Sequence, residues 1–299
     1  MSRGVLGVAG AGAVGTALAR LLLAAGWRAG GVACRTPESA ERAVRRIGGG
    51  HAVRDGGEAA RGADLLLLTV PDRAIREVAE AVAAATTLHR GALALHCSGA
   101  LSSDALAPLR PGGACVGSLH PLQTFTGAEG AEERVRKSFL FYEGDDPDRI
   151  RAVALDLGGR PVLIRPEGKV LYHAGAAAAC NLGVAMVDLG VRLMSAAGID
   201  RQEALKALLP LLRGTVSSLA AVGLPAALTG PVARGDVETV AGHLAAIDAG
   251  FPELLTTYAQ ATRHAVRIAS EGGGLAPDAA RAILTALDRC SQPPRAAGC

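Results

Sequence analysis

The stretch Gly10-Ala11-Gly12-Ala13-Val14-Gly15 constrains this chain most, because it follows the apolar run Val5–Ala9 and opens a helical segment over 13–25. In that setting Gly10 makes a tight turn, Gly12 lets a pyrophosphate approach the backbone, and Gly15 allows close packing of the helix. The helix N-terminus then turns free N–H groups toward an anion. With 39 glycines in the chain the spacing alone is weak, and the strand–turn–helix context separates it from an ordinary glycine turn.

Short apolar runs alternate with helical stretches up to about residue 165, the pattern of a parallel, doubly wound α/β sheet with crossover helices. The expected strands are Val5–Ala9, Gly31–Cys34, Leu65–Val70, Ala92–His96, Ala114–Ser118, Phe139–Tyr142 and Pro161–Ile164. Helices are expected between them at 13–25, 37–46, 72–86, 102–108 and 147–157. Thr36-Pro37-Glu38 carries a start signal with Thr as N-cap and Pro in the first turn. After Pro166 the strand signal stops. Gly168 to Gly198 reads as one long apolar helix, and further helices follow at 201–220, 236–248, 252–271 and 276–289. The expected domains are 1–166, a dinucleotide-binding sheet, and 167–290, an all-helical substrate and dimerisation domain, followed by a loose tail over 291–299. A length of 299 residues suits two domains.

The net charge of +3 is too small and too evenly spread to suggest a nucleic-acid partner. Six cysteines without Cys-x-x-Cys spacing write neither a disulfide framework nor a zinc site, so no metal is expected and a reducing cytoplasm fits. The glycines near the start argue against a signal peptide. Val170–Val187 is uncharged for 18 residues, the lower limit for a membrane span; its His173, Asn181 and glycines favour a buried helix of a soluble protein, and no membrane segment is expected.

An acidic residue at the end of the second strand would hold the ribose of NAD; this chain has Cys34-Arg35-Thr36 instead. Arg35 can pair with a 2′-phosphate, Thr36 adds a hydroxyl, and NADP is therefore favoured. Thr69-Val70-Pro71-Asp72 ends another parallel strand at the same carboxyl edge, where open α/β sheets bind ligands.

His96-Cys97-Ser98-Gly99 and Gly117-Ser118-Leu119-His120-Pro121 end two further strands there. Hydride transfer to a carbonyl or imine calls for a proton donor, a task His120 suits with its ordinary pKa of about 6.5. Ser98 is positioned to hydrogen-bond the reacting atom, with Ser118 beside it. For His96 a structural strand-end role is preferred, and Cys97 reads as a buried thiol. On the long helix Lys169 and His173 share a face, Lys169 reading as solvated near the helix start and His173 joining the catalytic candidates. Asn181 is the deepest polar side chain and a candidate ligand contact. Arg234, in Leu228-Thr229-Gly230-Pro231-Val232-Ala233-Arg234-Gly235-Asp236, is a candidate for an anionic substrate group, and Asp236 reads as an N-cap. Neither serine lies in a Gly-x-Ser-x-Gly elbow, which argues against a serine hydrolase.

His-Cys-Ser-Gly-Ala at 96–100, Ser-Leu-His-Pro-Leu-Gln-Thr-Phe at 118–125, Tyr-His-Ala at 172–174, Asn181 and the segment 228–236 together resemble a bacterial family that joins a Rossmann-like NADP-binding domain to a helical domain of unknown function. That family is similar to pyrroline-5-carboxylate reductase, ketopantoate reductase and the 6-phosphogluconate and 3-hydroxyisobutyrate dehydrogenases. The resemblance implies a helical domain like the C-terminal one of 6-phosphogluconate dehydrogenase, homodimerisation through it, and a substrate-orienting role for Asn181. The Lys-x-x-x-Asn pair of the hydroxyacid dehydrogenases is absent, because His173 follows Lys169. His120-Pro121 also resembles the His-Pro of prephenate dehydrogenases, a less favoured alternative. The leading expectation is a cytoplasmic, homodimeric NADP-dependent oxidoreductase acting on a small carbonyl, imine or hydroxyacid in the cleft between domains. The alternative is a non-catalytic NADP-binding sensor or scaffold.

Overall fold

A computed structural model of the chain describes residues 3–86, 88–125, 127 and 129–290. The expected tail over 291–299 lies outside them.

Contacts divide the chain into two compact units, Met1–Ala179 and Cys180–Cys299. The first contains β1 (Val5–Ala9), α1 (Ala13–Ala24), β2 (Arg28–Ala33), α2 (Pro37–Ile47), β3 (His51–Val53), α3 (Gly56–Ala60), β4 (Leu65–Leu68) and α4 (Asp72–Ala85). Then come β5 (Leu93–His96), a 3-10 segment Ser103–Gly112, β6 (Cys115–Pro121), α5 (Ala131–Arg136), β7 (Phe139–Gly144), α6 (Pro147–Asp156), β8 (Arg160–Leu163) and α7 (Lys169–Ala179). One eight-stranded sheet runs β3-β2-β1-β4-β5-β6-β7-β8. The chain departs from β1 toward β2 and β3, then returns to place β4 on β1's other side, which opens a crevice at the carboxyl ends of β1 and β4.

β1 through β6 run parallel, as expected, whereas β7 lies antiparallel to β6 and carries β8 parallel to itself. The purely parallel expectation is thus corrected at this edge. The short α5 between β6 and β7 does not return the chain to the opposite end of the sheet, so β7 starts where β6 finishes. The central strands are apolar on both faces, Leu65–Leu68 of β4 being almost fully buried, as a sheet with helices on both sides requires. α2 starts as its sequence signal predicts, with the Thr36 hydroxyl accepting from Ser39 N–H at 3.3 Å.

The second unit holds α8 (Asn181–Ala196), α9 (Arg201–Val222), α10 (Pro231–Arg234), α11 (Val237–Gly250), α12 (Pro252–Glu271) and α13 (Pro277–Cys290). Leu189, Val240, Leu244, Ile247, Leu255, Val266, Ile283 and Leu287 form its core. Asp236 caps α11, accepting from Thr239 N–H at 3.0 Å.

Three expectations for the helical half need correction. The helix expected over Gly168–Gly198 is two helices, broken at Cys180, with no side-chain cap to mark the break. The division between units therefore falls one helix later than 166/167, because the buried Lys169 ties the start of α7 to the ends of β5 and β6. The third correction concerns burial. Val170, Leu171, Leu182 and Val184 are all at least 60% exposed, so the run is not a buried helix within one chain. Pro166–Ala196 and Arg201–Val222 are long and apolar enough to cross a membrane by length and composition, and both are largely exposed.

Candidate active site

The glycine turn has the geometry its spacing implies. Gly10 has φ +91°, and a Cβ there would meet Val70 Cγ1 at 2.6 Å. Among the described residues a Cβ on Gly12 would meet nothing within 4 Å, so this backbone faces open space. Gly15 packs on Thr69, whose hydroxyl donates to Gly10 C=O at 2.5 Å. α1 begins at Gly12 without a side-chain cap, leaving its first N–H groups directed at that space.

The space continues as a cleft of about 670 Å³ lined by Gly10, Ala11 and Gly12, by Thr69, Val70 and Pro71, and by Arg35. Ser39, Arg42, Arg46, Arg54 and Arg73 complete a guanidinium-rich rim. Arg54 is engaged by Asp55 at 3.2 Å and Glu58 at 3.0 Å, while Arg42 donates to Ser39 Oγ at 2.8 Å. Among the described residues Arg35, Arg46 and Arg73 form no ion pair. Thr36 is corrected from a ligand contact to a cap, since its hydroxyl is spent on Ser39. Ala13 lies in the first turn of α1 and, like Gly15, does not line the cleft.

Ser39, Arg42 and Arg46 were not identified in the sequence, although their helical spacing places them on one face of α2. The turn and the rim fit a phosphorylated dinucleotide on three counts: a glycine cradle that a side chain would fill, an uncapped helix start, and the guanidinium groups of Arg35, Arg46 and Arg73, which form no ion pair among the described residues.

Thr69 and Val70 also line a second cavity of about 200 Å³, together with Val14, Asp72, Cys97, His120, Pro121, Gln123 and Phe125. Asp72, placed at this carboxyl edge by the sequence without a role of its own, stands in the first turn of α4 and accepts from Ser98 Oγ at 2.6 Å. Ser98 Oγ in turn accepts from Ala100 N–H at 3.2 Å and Leu101 N–H at 3.0 Å. Its expected role toward substrate is corrected: the buried hydroxyl is fully engaged and positions Asp72. Ser118 is corrected likewise, being completely buried and bonded to Lys169.

Lys169 is only 1% exposed, against the expectation of a solvated side chain. Its Nζ donates to Ser98 C=O at 2.9 Å and to Ser118 Oγ. Burial lowers its pKa to about 8, opposed by Glu143, Cys97 and Asp72. Glu143 is itself buried and accepts from Ser103 N–H and Oγ, both at 2.8 Å.

His96 has the structural role preferred for it. Its Nδ1 accepts from Ser98 N–H at 3.1 Å, so Nε2 carries the proton and donates to Ser102 C=O at 3.0 Å. His120 Nδ1 lies 2.7 Å from the Tyr172 hydroxyl, and Tyr172 stacks at 4.4 Å on Phe141. The His173 ring stands 6.1 Å from that of His120. Gly99 makes room for both, since a Cβ there would meet His173 Nδ1 at 2.5 Å and His120 Nε2 at 3.0 Å.

Burial, then the Lys169 and His173 charges, lowers the His120 pKa to about 4, and burial raises Tyr172 to about 12. His120 is therefore a neutral imidazole at neutral pH, which corrects the expectation that it titrates there. His96 is also lowered to about 4, mainly by burial. The unfolded chain takes up protons near pH 6.5 that the folded chain refuses until about 4, so both groups make stability fall as pH drops through that window. In NMR titrations the Cε1–H shifts of these two rings should stay flat from pH 7 to 5; a midpoint near 6.5 would contradict their burial.

Asn181 opens α8 and Arg234 closes α10; both are exposed and belong to the second unit. Neither is among the residues lining the two cavities. The deep burial expected of Asn181 is corrected, because its stretch of helix is exposed.

Residues 1–121 match the family model of a Rossmann-like domain, and residues 139–265 match a domain of unknown function, DUF2520. The second model takes in β7 and β8 as well as helices. A comparison with curated proteins finds no match. Among solved structures, protein TM1727 from Thermotoga maritima is 26% identical with a TM-score of 0.71, over 89% of this chain and 99% of its own. BF3122 from Bacteroides fragilis, whose assignment as an NADP oxidoreductase is provisional, is 23% identical with a TM-score of 0.69, over 88% of this chain and 98% of its own. An imine reductase from Pseudomonas sp. is 21% identical with a TM-score of 0.62, over 96% of this chain and all of its own, 100%. These likenesses establish the fold.

Proposed function

We propose that this protein is an NADPH-dependent reductase of a small imine or carbonyl compound. The observation that carries this reading is that the two cavities share Thr69 and Val70 in their walls, one holding the arginine-rimmed glycine turn and the other His120 and Asp72. Gly10, Ala11 and Gly12 hold the pyrophosphate, and Arg35, with Arg42 behind it, holds the 2′-phosphate. When bound, NADPH supplies the hydride. His120, its Nδ1 fixed by Tyr172, and His173 border the acceptor. The resemblance to an imine reductase agrees with this class of chemistry. NADPH consumption against pooled imines, aldehydes, ketones and ketoacids tests the reading. Turnover supports it, whereas tight NADPH binding without turnover on any of them would favour a sensor or scaffold.

The exposed apolar faces of α7, α8 and α9 favour a homodimer: Leu171 is 80%, Val184 70%, Leu211 66% and Val216 65% exposed. Asp188, Arg192 and Arg213 interrupt α8 and α9 and make a lipid surround costly. Sedimentation should give twice the chain mass, and Leu211→Glu should shift it toward one chain; a wild-type monomer would refute the dimer. The free thiols of Cys34, Cys97 and Cys115 suit a reducing cytoplasm.

A further inference from the structure

We infer that the small cavity at the ends of β4, β5 and β6 accepts an organic cation, so that the acceptor reduced there is a protonated imine rather than a ketone or ketoacid. The inference rests on the reductase reading and narrows its substrate class.

The ionised groups around the cavity do not balance. Asp72 lines it, and the Ser98 hydroxyl fixes the carboxylate at 2.6 Å. The start of α4 favours negative charge at that position. Lys169, whose charge reaches Asp72, cannot receive an anionic substrate, because its ammonium is buried and committed to Ser98 C=O and Ser118 Oγ. Glu143 faces it from β7 and offsets its charge. Among the described residues no arginine or lysine lines the cavity, whereas Phe125 contributes an aromatic wall, whose face attracts cations. A ligand carboxylate would meet Asp72 without a counter-charge, and a ligand cation would pair with it.

The proton inventory points the same way. Hydride addition to a ketone makes an alkoxide, which needs an acid poised near the working pH. His120 is a neutral imidazole, and the Tyr172 hydroxyl holds its proton tightly. An iminium ion brings its proton with it. Its carbon accepts the hydride, the C=N π pair moves to nitrogen, and a neutral amine forms while NADPH is oxidised to NADP; no proton is drawn from the protein.

The test uses ligands of one shape and different charge: a cyclic N-methyl iminium salt, which cannot lose its charge, the matching cyclic ketone, and a 2-ketoacid of similar size. Calorimetry on the chain without nucleotide reads binding directly. The iminium should bind at least about 10-fold more tightly than the ketone, and Asp72→Asn should remove most of that difference. NADPH oxidation should proceed with the iminium and be at least about 10-fold slower with the ketone. Preferential binding of the ketoacid, or equal affinity for cation and ketone in the wild-type chain, overturns the inference. Failure to bind NADPH at all would instead remove the reductase reading, and cation binding would still be scored by the nucleotide-free calorimetry.

Discussion

Arg35→Ala should raise the Kd for NADPH about 10- to 100-fold while leaving that for NADH nearly unchanged, so that the two cofactors bind alike. The range is the worth of one charge-assisted hydrogen bond, about 1.5–3 kcal/mol. Arg35 stands two residues past the end of β2, where a carboxylate would select the unphosphorylated ribose, and it forms no ion pair among the described residues. Arg42 lines the same cleft from α2, oriented by Ser39 at 2.8 Å. Arg42→Ala should therefore weaken NADPH binding in the same direction by a smaller factor, and the double variant should bind NADPH no better than NADH. Fluorescence titration with both cofactors measures all three. If wild-type protein binds NADH as tightly as NADPH, the assignment of the rim to a 2′-phosphate fails.

The parts of this fold that were legible in the sequence are those where one physical signal spans several residues. β1 reads correctly because five apolar residues run straight into a glycine turn, and α2 because cap, proline and amphipathic spacing agree. β3 was not legible. It has three residues, His51–Val53, exposed or half-exposed at the sheet edge, and such a strand leaves no periodicity. α3 begins with two glycines and α5 is a short charged turn of helix, so neither stands out from a loop. The reversal at β7 was equally hidden, since strand direction follows from how a connection crosses the sheet, which composition does not record.

The site was legible in a similar, uneven way. Strand-end positions could be named, because the carboxyl edge of a parallel sheet collects them, and His120 and Asp72 do meet there. The division of labour was hidden. Ser98 and Ser118 looked available to a ligand because hydroxyls at strand ends usually are; the partners that consume them, Asp72 and Lys169, lie far away in sequence. Tyr172 went unchosen within the motif Tyr-His-Ala, since only the folded chain shows its hydroxyl 2.7 Å from His120. Apolar α7 and α8 read as buried because hydropathy reports that a surface must be covered, without saying by what.

Lys169 carries the second large expected effect, on stability and with a definite sign. Burial holds its pKa at about 8, below the ordinary 10.5. Between those values the unfolded chain binds a proton that the folded chain has released, so the contribution of Lys169 to stability improves as pH rises through 8 to 10.5. The change across the window is about 3 kcal/mol. Lys169→Met removes the titration and leaves other alkaline groups in place, so they cancel in the comparison. Urea unfolding of both proteins from pH 7.5 to 10.5 should show wild type gaining on the variant by roughly that amount. A difference that stays flat with pH would mean that the ammonium is solvated, and the clamp on Ser98 and Ser118 would be wrong. The same variant separates packing from electrostatics at the site. The Lys169 charge is one of the causes that keep His120 neutral. Its removal should raise the His120 midpoint above 4 in an NMR titration, while burial still holds it below the ordinary 6.5. A side chain that only filled space would leave that midpoint where it was.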